Sequence, residues 1–175
     1  MNKAETRYGC TPLFMASHDG HTEVVERLLA RDDIDVNKAR TEDGSTPLFA
    51  ASYSGHTKVV EHLLARDDID VNKATMDDGS TPLCMASQNG HTEVVERLLA
   101  RDDIDVNKAT TDSGCTPLYV ASQNGHTEVV ERLLARDDID VNKAMTSDGS
   151  TPLYMASQNG HTEVCLLYTS PSPRD

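Results

Sequence analysis

The sequence predicts an all-α solenoid, a stack of helix-turn-helix units joined by short β-hairpin-like loops. Thr-Pro-Leu recurs every 35 residues, at 11–13, 46–48, 81–83, 116–118 and 151–153. Gly-His follows each copy at a constant offset, at 20–21, 55–56, 90–91, 125–126 and 160–161. A fixed period of about 20–50 residues is typical of repeat proteins, in which each unit buries its apolar face against the next.

One unit, residues 46–80, shows how each element is predicted. Thr46 suits a helix N-cap and Pro47 the first helical position, because the N–H that proline lacks would have no helical partner there. Gly55 suits the left-handed conformation that ends many helices, and Thr57 can begin a second helix. That second helix has an apolar stripe of Val59, Val60, Leu63 and Leu64. Polar, turn-rich residues follow, so each unit has two short antiparallel helices and a loop.

Several spaced motifs resemble the ankyrin repeat family: Gly-x-Thr-Pro-Leu, Ala-Ser-x-x-Gly-His, Val-Val-Glu-x-Leu-Leu and Asp-Val-Asn. The resemblance extends over about residues 1–164 and implies an ankyrin-type solenoid. The period is two residues longer than the family's usual ~33, with the extra residues in the Arg-Asp-Asp-Ile-Asp-Val-Asn-Lys-Ala segment. The family's histidine after Thr-Pro-Leu is replaced by Phe14, Phe49, Cys84, Tyr119 and Tyr154.

The repeat pattern also sets the expected boundaries. Residues 1–10 match the end of a preceding repeat loop, and Met1 stands where later copies have valine, as for a start assigned inside a longer reading frame. The predicted repeats are 11–45, 46–80, 81–115, 116–150 and a truncated fifth, 151–164. Residues 165–175 resemble a translated sequencing adapter, and a natural Ser/Pro-rich tail is the alternative. We therefore expect a fragment of a longer array whose fifth repeat has lost most of its second helix.

Composition narrows the class of partner. The chain has 16 Lys and Arg against 29 Asp and Glu, a formal net charge of −13. Because an acidic surface repels phosphate backbones, we expect no nucleic acid partner and instead a protein or peptide with basic residues. Four cysteines without a Cys-x-x-Cys pair indicate free thiols in an intracellular, cytoplasmic protein. No apolar run approaches the ~18–20 residues that span a membrane, so we expect no membrane contact. We also expect the array to be monomeric.

The sequence predicts neither catalysis nor a bound cofactor or metal. It lacks a Gly-x-Ser-x-Gly turn and a phosphate-binding glycine loop, so we expect this chain not to be an enzyme. Neighbouring units lie about 10 Å apart, too far for a column of histidines to share a zinc ion with ligands at about 2.3 Å. Hydrogen bonds at the inter-helix turn explain these residues better: His21, His56, His91, His126 and His161. The segment 33–37 opens like a calcium loop but lacks the later glycine and glutamate.

The candidate binding residues are those that differ between repeats. They lie at the predicted turn tips and at the end of each first helix, and the resemblance implies that both sets line the concave groove that binds partners. They are Glu42, Asp43, Tyr53, Ser54, Asp77, Asp78, Gln88, Asn89, Asp112, Ser113, Gln123, Asn124, Ser147, Asp148, Gln158 and Asn159. Neutral drift at exposed positions is the alternative. Among them, Tyr53, Asp77 and Asp78 are expected, as surface residues, to tolerate substitution with little change in melting temperature.

Two expectations follow from the resemblance alone. The spacing of leucine and Asp-Val-Asn resembles that of ankyrin asparagines that are hydroxylated, which makes candidates of Asn37, Asn72, Asn107 and Asn142. An asparagine that holds its own loop is the alternative. The family's role implies a scaffold that binds protein partners; the alternative is a targeting or regulatory segment of a larger kinase, ubiquitin ligase or membrane channel.

Overall fold

The computed structural model describes residues 9–169, and the expectations for 1–8 and 170–175 lie outside this part. Five helix-turn-helix units follow one another along it. The first helices of the units are α1 (Pro12–His18), α3 (Pro47–Ser54), α5 (Pro82–Gln88), α7 (Pro117–Asn124) and α9 (Pro152–Gln158). The second helices are α2 (Thr22–Leu29), α4 (Thr57–Leu64), α6 (Thr92–Leu99), α8 (Thr127–Leu134) and α10 (Thr162–Thr169). The all-α solenoid is confirmed, although the loops between units form turns and no strand is assigned within 9–169.

The helix ends follow the predicted chemistry. Thr46 has an extended backbone, and its Oγ1 accepts the N–H of Phe49 at 3.1 Å, so it caps α3 while Pro47 occupies the first turn. Gly55 ends α3 with φ of 76°, the left-handed conformation that glycine adopts without strain. The second helix starts at Thr57, but its N-cap is His56, whose side chain makes no capping hydrogen bond. That imidazole has a different partner, described below.

The core extends across the boundaries between repeats as well as between the two helices of each repeat. First helices pack on the first helices of neighbouring units, and second helices pack on second helices. The leucine of each Thr-Pro-Leu motif is fully buried in repeats 1 to 4. One continuous apolar cluster extends from Leu13 in α1 to Val164 in α10. Helices of seven or eight residues are too short to be stable alone in water, so this shared burial is what holds them.

The segment that lengthens the period joins neighbouring repeats. In the loop after α4, Arg66 donates from Nε and Nη2 to the carboxylate of Asp68 at 3.0 and 3.2 Å. Its Nη1 donates to the carbonyl of Leu29 in the preceding repeat at 3.1 Å. Arg101 and Arg136 make the same set of contacts. Each arginine is therefore held by its own loop while it satisfies a free carbonyl at the C-terminus of the previous second helix.

The expectation for the fifth repeat is wrong in one respect. Its second helix, α10, runs to Thr169 and has eight residues, as α8 does. Cys165, Leu167 and Tyr168 pack against the core cluster. Tyr168 Oη and Ser122 Oγ share a hydrogen bond of 2.9 Å. Cys165 and Tyr168 take the positions of Val130 and Leu133 in α8, so residues 165–169 complete the helix with part of its usual apolar face. The adapter resemblance stays a prediction.

Candidate protein-binding groove

The surface where the turns between repeats meet the first helices is called the groove below. At the junction of repeats 1 and 2 it contains a pocket of about 210 Å³, which brings the turn-tip residue Asp43 together with Tyr53 of α3. The pocket is lined by Phe14, His18, Arg40, Asp43, Ser45, Phe49, Ala50 and Tyr53. Its volume is below the ~300–1,000 Å³ of sites for drug-sized ligands. It has the size for one side chain of a partner.

An internal ion pair sets the charge of this pocket. Arg40 donates from Nε to Asp43 Oδ1 at 2.9 Å, and Nη2 donates to Oδ2. The backbone N–H and hydroxyl of Ser45 donate to the same carboxylate at 3.0 and 2.6 Å. The hydrogen bond from Arg40, followed by those from Ser45, holds the pKa of Asp43 well below its usual range despite partial burial. Arg40 also lies over Phe14, 5.5 Å from the ring centroid, a cation–π contact.

Tyr53 is the exposed aromatic residue of the pocket. Its side chain is 49% exposed, whereas Phe14 is buried. The backbone around Tyr53 is fixed, because its carbonyl accepts hydrogen bonds from Asn89 Nδ2 at 2.9 Å and His91 Nε2 at 3.0 Å. A ring that is open to solvent on a fixed backbone loses little conformational entropy when a partner covers it.

Asp78 is more engaged than the expected surface residue, and Asp43 is held in the same way. Asp78 accepts from Thr75 Oγ1 at 2.7 Å and from the N–H and hydroxyl of Ser80 at 2.9 and 2.7 Å. Both aspartates are partly buried, and their carboxylates close their own turns. Glu42 and Asp77 are exposed and remain available to a partner. The other turn-tip candidates are Asp112, Ser113, Ser147 and Asp148, of which only Ser113 is partly buried.

The asparagines at the ends of the first helices are also structural. The side-chain amides of Asn89, Asn124 and Asn159 donate to the carbonyls of residues 53, 88 and 123 in the preceding repeat, at 2.9, 3.0 and 2.8 Å. Their substitution therefore removes an inter-repeat hydrogen bond. Among the helix-end candidates, Gln88 and Gln158 are exposed, and Ser54 and Gln123 are partly buried. The sequence signal for this role was the position itself, directly before the glycine of Gly-His.

The histidine column is structural, as predicted, but its partner is the previous repeat. His56 Nε2 donates to the carbonyl of His18 at 3.0 Å, and His126 Nε2 to that of Gln88 at 2.9 Å. The imidazole ring also lies against the glycine that ends the preceding first helix. A Cβ on Gly90 would be 2.6 Å from the His126 ring. Glycine is thus needed at this position both for its positive φ and for the close approach of the ring.

The Asp-Val-Asn asparagines link consecutive loops. Asn37 Nδ2 donates to the carbonyl of Asp68 at 2.6 Å, and its Oδ1 accepts the N–H of Asp70 at 2.8 Å. Asn72 and Asn107 repeat this pair of bonds with the loops that follow them. For Asn142 the described part of the chain has no following loop. Hydroxylation of these four residues stays a prediction.

The structure of residues 9–169 also bears on metal binding, on membrane insertion and on the state of the cysteines. No group of three or more His, Cys, Asp or Glu side chains in this range is placed to hold a metal ion. No helix there has the length and apolar character needed to cross a lipid bilayer. The four cysteines are free thiols, with Cys10 and Cys84 buried and Cys115 and Cys165 partly exposed.

The stacked units place the chain among the helical repeat solenoids. A family model described as Ankyrin repeats (3 copies) matches residues 1–75, 71–145 and 106–169. The chain belongs to the ankyrin repeat family. Ankyrin repeats are generally protein–protein interaction modules. A search of curated proteins finds no match to the chain.

Proposed function

We propose that this chain is a scaffold that binds a protein or peptide with basic residues through the groove between its turns and first helices. The single observation that carries the proposal is the pocket that joins Tyr53 to the acidic turn at residues 40–45. The net charge of −13 supports a basic partner and opposes nucleic acid. We further propose that the chain acts as a monomer inside the cell, where its free thiols stay reduced.

The pocket suits a short anchor sequence rather than a rigid flat surface. Tyr53 offers a large apolar ring and a hydroxyl, the combination that is enriched in binding hot spots. Because Arg40 and Asp43 neutralise each other, the charge available to a partner comes from exposed residues such as Glu42 and Asp77. An apolar side chain of the partner would enter the pocket, and its neighbouring lysines or arginines would face those carboxylates.

The test is selection of peptides from a random displayed library on the immobilised chain, followed by titration of the selected peptides. We expect the selected peptides to be basic and to bind more weakly as salt rises, since exposed charges are screened within about 10 Å at 0.1 M. Tyr53→Ala should weaken binding about 30-fold, the equivalent of a 2 kcal/mol hot spot. Asp77→Lys should mainly slow association.

The matched control is a charge reversal on the opposite, second-helix side. Glu131→Lys is suitable because Glu131 is exposed, whereas Glu61 pairs with Lys58 and Arg97 and cannot be changed without loss of those contacts. Tyr53→Ala, Asp77→Lys and Glu131→Lys should all retain the wild-type melting curve. If Glu131→Lys weakens binding and Tyr53→Ala does not, the binding surface lies on the second helices and the proposal is wrong.

A further inference from the structure

Sulfur side chains gather where repeats 3, 4 and 5 meet. Cys84 is buried beside Tyr119 and Val120, and Cys115, Met145 and Met155 pack against this cluster. Three of these residues depart from most of their counterparts in the other repeats. Position 84 is aromatic in every other repeat, position 115 is serine at 45, 80 and 150, and position 145 is threonine at 75 and 110. Three residues that differ from their counterparts and lie far apart along the chain therefore come together in the folded structure.

The geometry within this cluster is specific. The thiol of Cys115 donates to the thioether sulfur of Met145, with the two sulfur atoms 3.5 Å apart. The hydroxyl of Ser113 donates to the Cys115 sulfur at 3.2 Å. Cys115 is partly exposed, so an ion can reach it from solvent, while Cys84 is only 1% exposed.

We propose that Cys84, Cys115 and Met145 bind one copper(I) ion. Thiolate and thioether sulfurs are soft ligands, which select Cu(I) among the biological metals. An ion about 2.3 Å from each sulfur, the usual metal–thiolate length, would span the 3.5 Å between Cys115 and Met145 at an angle of about 100°. Met155 lies in the same cluster and can take a fourth position.

Copper binding at this cluster involves no oxidation or reduction. Copper enters as Cu(I), each thiol releases its proton to solvent, and a sulfur–copper bond replaces the S–H bond. Burial, and secondarily the neighbouring Cys115, raises the pKa of the Cys84 thiol to about 12. Proton release there is costly without the metal, and the positive ion offsets that cost.

The experiment is an anaerobic titration of the full chain with Cu(I) in competition with a chromophoric Cu(I) chelator. We expect one Cu(I) per chain and, in X-ray absorption, a first shell of sulfur alone. Cys115→Ser and Met145→Thr install residues that the other repeats carry at these positions, and each should lower affinity at least 10-fold. Cys84→Phe, which copies repeats 1 and 2, should do the same.

The matched controls are the two cysteines outside the cluster. Cys10→Ser and Cys165→Val also copy other repeats and should leave affinity and stoichiometry unchanged. A second readout is thermal melting, because a ligand that binds the folded state raises its melting temperature. Cu(I) should stabilise the wild type and both controls but not Cys115→Ser. No binding, or equal loss on removal of any cysteine, would show that the sulfurs only fill space, and the proposal would fail.

Discussion

The junction between repeats 1 and 2 and the junction between repeats 3 and 4 share a framework but not a surface. In the first, His56 donates to the carbonyl of His18 and Arg66 to that of Leu29, at 3.0 and 3.1 Å. In the second, His126 and Arg136 make the equivalent bonds at 2.9 and 3.1 Å. The side chains that lie in the groove are different in the two junctions.

The difference is chemical, position by position. Where the first junction has Arg40 paired with Asp43 and stacked on Phe14, the second has a hydrogen bond of 2.9 Å between the hydroxyls of Thr110 and Ser113. Cys84 occupies the position of Phe14, and Cys115, Tyr119 and Gln123 replace Ser45, Phe49 and Tyr53. The packing of one repeat on the next depends on backbone carbonyls and on the residues that donate hydrogen bonds to them. Side chains in the groove can therefore change without any change in this framework.

The largest effect should come from glycine at the shared framework. In Gly20→Ala and Gly90→Ala the new Cβ would lie 2.7 and 2.6 Å from the imidazoles of His56 and His126. Each change should cost about 3 kcal/mol, from left-handed strain of about 1–2 kcal/mol and loss of one hydrogen bond of about 1 kcal/mol. Urea unfolding measures the loss. Gly160→Ala has open space around the new Cβ and should show the strain alone, so an equal loss at Gly160 would contradict the packing argument.

A smaller and equal effect is expected from the loop asparagines of the two junctions. Asn37→Ala and Asn107→Ala each remove two inter-repeat hydrogen bonds, so each should destabilise the chain by about 2 kcal/mol. Asn142→Ala is the control and should change stability by less than about 0.5 kcal/mol. Chemical denaturation at one pH suffices. Unequal losses at Asn37 and Asn107 would mean that the frameworks of the two junctions differ in strength.

The Arg40–Asp43 pair should make the turn of the first junction sensitive to acid in a way that Thr110 and Ser113 cannot in the second. Arg40→Thr, which copies repeats 2 and 3, should cost about 1 kcal/mol at pH 7, as for a partly exposed bidentate pair. Because the folded pKa of Asp43 lies below its unfolded value of about 3.9, this stabilisation is present above that value and is lost as pH falls through the folded pKa. Unfolding curves from pH 7 to pH 2 should show the gap between wild type and variant narrow at the acid end of the range. A constant gap would exclude the carboxylate as its source.

The reciprocal substitutions test whether the ion pair can be transferred to the second junction. Thr110→Arg alone places an arginine in the second junction without its partner and should not stabilise it. Thr110→Arg combined with Ser113→Asp copies the first junction and should recover about 1 kcal/mol with the same loss in acid. Equal stability of the single and double variants at pH 7 would show that the pair does not transfer with its position.

The smallest effect concerns a serine that is buried in both junctions. The hydroxyls of Ser17 and Ser87 are buried without a hydrogen-bond partner in the described part of the chain, whereas Ser122 bonds to Tyr168. Ser17→Ala and Ser87→Ala should be neutral or stabilising by up to about 1 kcal/mol, and Ser122→Ala should cost about 1 kcal/mol. Thermal melting distinguishes the two directions. A loss in all three variants would indicate that these hydroxyls have partners in solution.

The repeat architecture could be predicted from the sequence alone. Thr46, Pro47 and Gly55 specify the ends of α3 through local chemistry, which requires no knowledge of the rest of the chain. The buried leucines and valines could also be predicted, because they recur with the 35-residue period at positions where each repeat must pack on its neighbours. Hydrogen-bonding roles near Gly-His could be predicted in kind but not in detail, since the partner of His56 belongs to the preceding repeat.

The sequence could not show which variable residues are exposed and which make hydrogen bonds to other parts of the chain. Asn89 and Asp78 vary between repeats as surface residues do, yet one bonds to a carbonyl 36 residues earlier and the other closes its turn. The contact between Cys115 and Met145 and that between Ser122 and Tyr168 join residues 30 and 46 positions apart. A periodic pattern shows which positions are equivalent, but the partner of a side chain depends on how adjacent repeats stack, which is a property of packing in three dimensions.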